Sequence, residues 1–201
     1  MLRYEMTYLR TYVEDKITIN DKQWKEFSSL FRKKIYKKGE DLLTAGEMNS
    51  KFFYISSGIV RTYSINTLGN DTTWSLHVNY DKNLITPFAG DFSNHHLGEA
   101  SDIFAEALCE CVVYEADFIE LNKLFESSFL WMKLGKKTFE DQVALITKSI
   151  KMFKNLTAKE RYLLVKEIAP IYEEILPNYQ FATVIGVAPQ SLSRIKQELK
   201  H

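Results

Sequence analysis

The residues with the most definite chemistry lie near the C-terminus, in Pro189-Gln190-Ser191-Leu192-Ser193-Arg194-Ile195-Lys196-Gln197. Leu192, Ile195 and Leu199 recur at helical spacing and form an apolar stripe. Gln190, Ser191, Ser193, Arg194 and Gln197 fall on the opposite side. Amide and guanidinium groups can bond base edges in a major groove, and hydroxyl and ammonium groups can bond phosphates, so this face has the composition of a duplex-reading helix. Pro189 suits a first helical turn, where its missing N–H costs nothing. Upstream, Ala182 is small where a preceding helix must come close, and Gly186 can take the left-handed conformation of a tight turn. With Val187 and Leu192 filling the space between two short helices, the expectation is a helix-turn-helix reading DNA through Gln190, Ser191, Ser193, Arg194 and Lys196. The alternative is an ordinary αα-hairpin with a solvated face.

Other reactive residue types form weaker patterns. Cys109 and Cys111 are one residue apart. Alternate residues of a strand face opposite ways, and an iron–sulfur cluster needs about four thiolates, so a structural role is expected. Asn94-His95-His96, with Glu99, Asp102 and Glu106 downstream, offers metal-type ligands. Adjacent histidines on a loop are commonly only solvated, and no metal is expected. His77, His95 and His96 are also candidate polar groups of an effector pocket, and Trp74, Phe88 and Phe92 are candidate core or stacking aromatics. No Ser/His/Asp constellation, phosphate loop or role-assignable carboxylate pair is present, so the expectation is a non-enzyme with no catalytic residues.

Charge is distributed unevenly. The chain has 26 Lys+Arg and 26 Asp+Glu, yet residues 145–201 hold nine basic residues against five acidic ones. A basic C-terminal quarter on an acidic body suits a DNA-binding module joined to one that does not bind DNA. No apolar run approaches the ~18–20 residues of a membrane span. The start, Met1-Leu2-Arg3-Tyr4-Glu5-Met6, lacks a signal-peptide layout, and two cysteines cannot make a secreted disulfide framework. The expected location is the cytoplasm, away from membranes.

These residues need elements to hold them. Residues 7–31 read as helical with a break near Ile17–Asn20, and Asn20 or Asp21 could cap the second part. Short β-branched and aromatic runs follow at 34–36, 52–55, 59–65 and 72–78. Turns at Gly39, Gly46, Gly58 and Gly69 separate them, and 107–115 reads as a closing strand. That pattern predicts a compact antiparallel roll. A short helix at 117–126 and a long one from about Phe129 to Asn155 follow. Along the long helix Phe139, Val143, Ile146, Ile150 and Phe153 are spaced 4, 3, 4, 3, which predicts a homodimer seam; packing on its own domain is the alternative. Residues 157–174 predict one more helix, with Thr157 and Glu160 at capping-box spacing. The fold class expected is α+β, with a β-roll sensor at 1–116, connecting and dimerisation helices at 117–155, and the helix-turn-helix at 156–201.

From about Phe31 to Leu199 the chain resembles the Crp/Fnr family of bacterial regulators. The resemblance rests on Lys38-Gly39-Glu40, Gly46, Phe53-Tyr54-Ile55-Ser56-Ser57-Gly58-Ile59-Val60-Arg61 and Gly69. At the other end it rests on Ala182, Gly186-Val187 and Gln190-Ser191-Leu192-Ser193-Arg194-Ile195. It implies a cyclic-nucleotide-binding-type roll, a dimer on the long helix, double-stranded DNA as partner, transcription regulation as function and RNA polymerase as a further partner. It places base reading at Gln190 and Arg194, and phosphate or secondary contacts at Ser191, Ser193 and Lys196. The family's phosphate-binding cassette pairs a Gly-Glu with a later arginine. Here the glutamate position falls at Asp91, after Gly90, and the arginine position at Ser101, followed by Asp102. No arginine lies between Arg61 and Arg161. A desolvated phosphate therefore lacks its bidentate partner, and cyclic AMP is not expected to bind. The effector pocket, if another ligand uses it, would draw on Trp74, Phe88, Gly90, Asp91, Ser101 and Asp102. The family's usual β-wing after the last helix is not expected. Two rival functions remain: a sensor-type protein-interaction module without specific DNA binding, and a small β-barrel metalloenzyme.

Overall fold

The computed structural model describes residues 6–79 and 86–199. The start of the N-terminal reading, and the terminal Lys200 and His201, lie outside them. Among the described residues nine helices and eight strands follow one another. Helices α1 (Thr7–Glu14) and α2 (Asp21–Ser28) come first, and Asn20 caps α2 through a capping box with Gln23. The strands are β1 (Arg32–Tyr36), β2 (Asp41–Leu43), β3 (Lys51–Ser57), β4 (Val60–Ile65), β5 (Asp71–His77), β6 (Phe88–Ala89), β7 (Phe104–Ala107) and β8 (Cys111–Asp117). A short helix, α3 (Phe92–Leu97), sits between β6 and β7.

The strands form two four-stranded antiparallel sheets, ordered β1-β8-β3-β6 and β2-β7-β4-β5. Successive strand side chains face opposite ways, and β3 buries both faces. Phe53 and Ile55 meet Val60, Ala105, Ala107 and Val113 inside the roll. Tyr54, with Tyr114 and Ala116 from β8, packs outward against Leu9, Val13 and Phe27 of the N-terminal segment. The turn at Gly58 is obligatory: at φ +90° a Cβ there would lie 2.5 Å from Cys111 Sγ and 2.7 Å from the Glu110 carbonyl.

Helix α4 (Phe118–Ser127) leads into α5 (Phe129–Asn155), which at 27 residues is about 40 Å long. Its first half is anchored by Trp131 and Leu134 in the same cluster as the N-terminal helices, and its end by Met152 against the C-terminal helices. Then come α6 (Ala158–Ile168), α7 (Ile171–Ile175), α8 (Asn178–Val184) and α9 (Pro189–Glu198).

Three expectations about elements are corrected. Residues 157–174 are two helices, because Pro170 has no N–H to continue α6. The closing run 107–115 is broken at Leu108–Glu110, so Ala107 ends β7 and Cys111 starts β8. The sequence reading also passed over β2 and β6, which at three and two residues are too short for periodicity to register.

Candidate nucleic-acid interface

Helices α8 and α9 meet across a tight turn. Ala182 and Leu192 are fully buried, and Gly186 sits at φ +65°, where a side chain would strike the Phe153 ring at 2.8 Å. Along α9, Leu192 and Ile195 face inward while Gln190, Ser191, Ser193, Arg194 and Gln197 are exposed. Ser193 is partly committed: its hydroxyl donates to the Pro189 carbonyl and accepts from Asn178 Nδ2. Leu199 does not continue the buried stripe but is 39% exposed, since it lies at the C-cap beyond the last packed turn.

Lys196 differs from its neighbours. Its ammonium is 2.9 Å from Glu173 and lies over the Phe181 ring. Glu173 is held below the usual carboxylate range: partial burial pushes it up, but hydrogen bonds from Lys196 and Tyr162 outweigh that. Lys196 therefore ties α9 to α7 instead of projecting freely. Arg161 is also internal. Its guanidinium donates to the carbonyls of Ile185, Leu156 and Phe153, which joins the end of α5 to the turn before α9. Phe153, expected in the dimer seam, packs on Gly186 of its own chain. The other seam residues stand out from the molecule: Phe139, Val143, Ile146 and Ile150 are each about half exposed or more, and the row continues upstream through Met132 and Phe129.

In the roll, the two positions aligned with the cassette come together. The Ser101 hydroxyl donates to Asp91 at 2.7 Å, and both residues are buried. The same carboxylate accepts from Ser93 and from the Asn94 backbone, capping α3. A buried carboxylate satisfied in this way repels an anion instead of pairing it. Gly90 is enclosed, with a would-be Cβ 3.0 Å from the Phe118 ring and 3.2 Å from the Lys51 carbonyl. The remaining pocket candidates lie elsewhere. Trp74 is the extra residue of a bulge in β5, where Thr62 pairs with Ser75 and Tyr63 with Thr73; its ring is 64% exposed and its indole N–H donates to Ser64. Phe88 packs outside the roll against Tyr12 and Phe52. Asp102 is exposed.

Of the histidines, His77 faces the roll interior beside Val60, with Nε2 3.1 Å from Thr62 Oγ1 and Nδ1 without a hydrogen-bond partner among the described residues. Burial pushes its pKa down to about 4, so it is neutral at neutral pH. His95 stacks on Phe118, and His96 is exposed. The described residues contain no group of three or more His, Cys, Asp or Glu placed to hold a metal. Burial lifts the Cys111 thiol to about 11.

Sequence reasoning missed one set of contacts altogether. β5 is an edge strand, and the C-terminal helices cover that edge. The Thr73 N–H donates to Thr183 Oγ1 of α8, and the Leu76 N–H donates to the Tyr172 hydroxyl of α7. Leu76, fully buried, belongs to the same cluster as Tyr162, Phe181, Ile185 and Leu192. Beneath lies Arg61, 1% exposed, bonded to Asp71 and to Thr73 Oγ1 and 3.6 Å from Glu106.

This order of elements is matched among solved structures. A c-di-GMP-responsive global regulator of Xanthomonas campestris superposes with a TM-score of 0.65 at 13% identity, over 90% of this chain and 92% of that one. FixK2 of Bradyrhizobium japonicum gives 0.63 at 18%, over 85% and 84%. A CooA variant of Carboxydothermus hydrogenoformans gives 0.60 at 19%, over 87% and 78%. This is the Crp/Fnr-type fold. No protein-family model matches the sequence, and no curated protein matches it. The Crp/Fnr-type likeness, at such identities, is one of fold. Among the described residues no helix is long and apolar enough to cross a membrane.

Proposed function

We propose that the chain is a DNA-binding transcription regulator that acts as a homodimer, with its roll setting DNA affinity in response to something other than cyclic AMP. The observation that carries this reading is the two-sided α9. Gln190, Ser191, Arg194 and Gln197 lie open on one side, and Leu192 and Ile195 anchor the other. Gln190 and Arg194, one helical turn apart, are the base readers in this scheme. The exposed row on α5 supports pairing, because Phe139, Val143, Ile146 and Ile150 are about half exposed or more, and isolated helices shorter than about 12–15 residues are marginal in water. Two copies joined there would present two recognition helices to successive major grooves. RNA polymerase is the partner expected if the output is activation.

Selection from random duplexes at moderate salt tests the reading. Enrichment of a palindromic motif is expected, and no enrichment would favour the protein-interaction rival. On the selected site Arg194→Ala should cost about 1–3 kcal/mol and relax one base pair per half-site. Because Lys196 is bound to Glu173, Lys196→Ala should act through the packing of α9 on α7 more than through the salt dependence of binding.

A further inference from the structure

We propose that the outer edge of β5 is a latch that pre-orders the DNA-reading module, and that DNA binds the latched arrangement. This rests on the regulator reading above. Edge strands expose unpaired N–H groups, and proteins usually cover or blunt them. Here the cover comes from the module itself, through Thr183 on Thr73 N–H and Tyr172 on Leu76 N–H. The two acceptors act at two outward positions of one strand, on either side of the Trp74 bulge. Thr183 is itself fixed, since its hydroxyl donates to the Gln180 carbonyl, and Thr73 is held from below by the buried Arg61.

The latched face is separate from the reading face. Thr183 and Tyr172 meet the roll while Gln190, Ser191 and Arg194 remain exposed, so docking leaves the groove-reading side open. At its other side the module is pinned to α5 by Arg161 and by Phe153 on Gly186. Held at two places, it has a set orientation relative to the helix expected to pair. A free module would have to be ordered on binding, so apparent affinity is the affinity of the docked form multiplied by the fraction of molecules already docked. The strand also has an inward side. His77, next after Leu76, lies in the roll interior with Nδ1 unpartnered among the described residues.

Amide exchange on the full-length protein, free and bound to the selected duplex, tests the latch. The Thr73 and Leu76 amides are expected to be protected in both states. Exchange that accelerates on adding DNA would mean that the module leaves β5 to bind, and would overturn the proposal. So would unprotected amides in the free protein. Thr183→Val with Tyr172→Phe removes both acceptors with little change of shape. It should expose both amides, keep the helix content, and weaken specific DNA binding roughly tenfold. Equal or tighter binding by that variant would also overturn it. If the wild-type protein selects no duplex yet protects both amides, the regulator reading fails while the docking itself stands, so the two failures are distinguishable.

Discussion

Among the described residues His77 carries a clear pH dependence. In the unfolded chain its pKa is near 6.5, whereas burial in the roll lowers it to about 4. Between those values the unfolded state binds more protons than the folded state, so stability falls as pH drops through that window. The loss should reach about 2 kcal/mol by pH 5 relative to pH 8, measured by urea unfolding. His77→Gln should flatten the slope between pH 6.5 and 4; an unchanged slope would assign it to other groups. Chemistry at this scale was only partly legible in the sequence. Gln190, Ser191 and Arg194 could be placed on one helix face from spacing alone, because α9 is regular and locally determined. Lys196 belongs by spacing near that face, yet Glu173, 23 positions earlier, holds it. The resemblance puts Asp91 and Ser101 at the two cassette positions, but that the Ser101 hydroxyl donates to the Asp91 carboxylate is a matter of three-dimensional closeness.

At the level of elements, α5 poses the most direct test. Its apolar row follows a heptad spacing, and among the described residues Phe139, Val143, Ile146 and Ile150 stay about half exposed or more. A charge in the middle of a paired seam would be buried without a counter-ion, at a cost of several kcal/mol. Ile146→Glu should therefore sediment as a monomer where the wild-type protein is expected to sediment as a dimer, with the helical content kept. A wild-type protein that is monomeric at micromolar concentration would refute the seam. Phe153 shows the limit of periodicity as a guide. It holds the last seam position, but the chain turns just beyond it and brings Gly186 under its ring.

Across the whole molecule, the roll and the C-terminal helices share a core, because Leu76 from β5 is buried among residues of α6 to α9. A ligand inside the roll would therefore be felt as stability of the whole. At about 100 times its dissociation constant a real ligand adds ~2.7 kcal/mol. Millimolar cyclic AMP should leave the melting temperature unchanged, since Asp91 and Ser101 present an already satisfied carboxylate where a phosphate needs a guanidinium. A rise of several degrees would show that another cation serves the phosphate.

What the sequence determined by itself was the order of parts: short strands set off by glycine turns, a long helix with a heptad row, and two helices around Gly186. Each of these is governed by local periodicity, turn chemistry and capping, which neighbouring residues control. What only the tertiary structure decided was which faces meet. A bulge at Trp74 shifts the β5 register by one residue, so that Thr73 takes the place opposite Tyr63 and the same outward face as Leu76. Thr183 closes the edge of β5 from 110 residues away, and Tyr172 does so from 96. No spacing rule reaches that far, because contacts of that range depend on how whole elements pack and not on the pattern within any one of them.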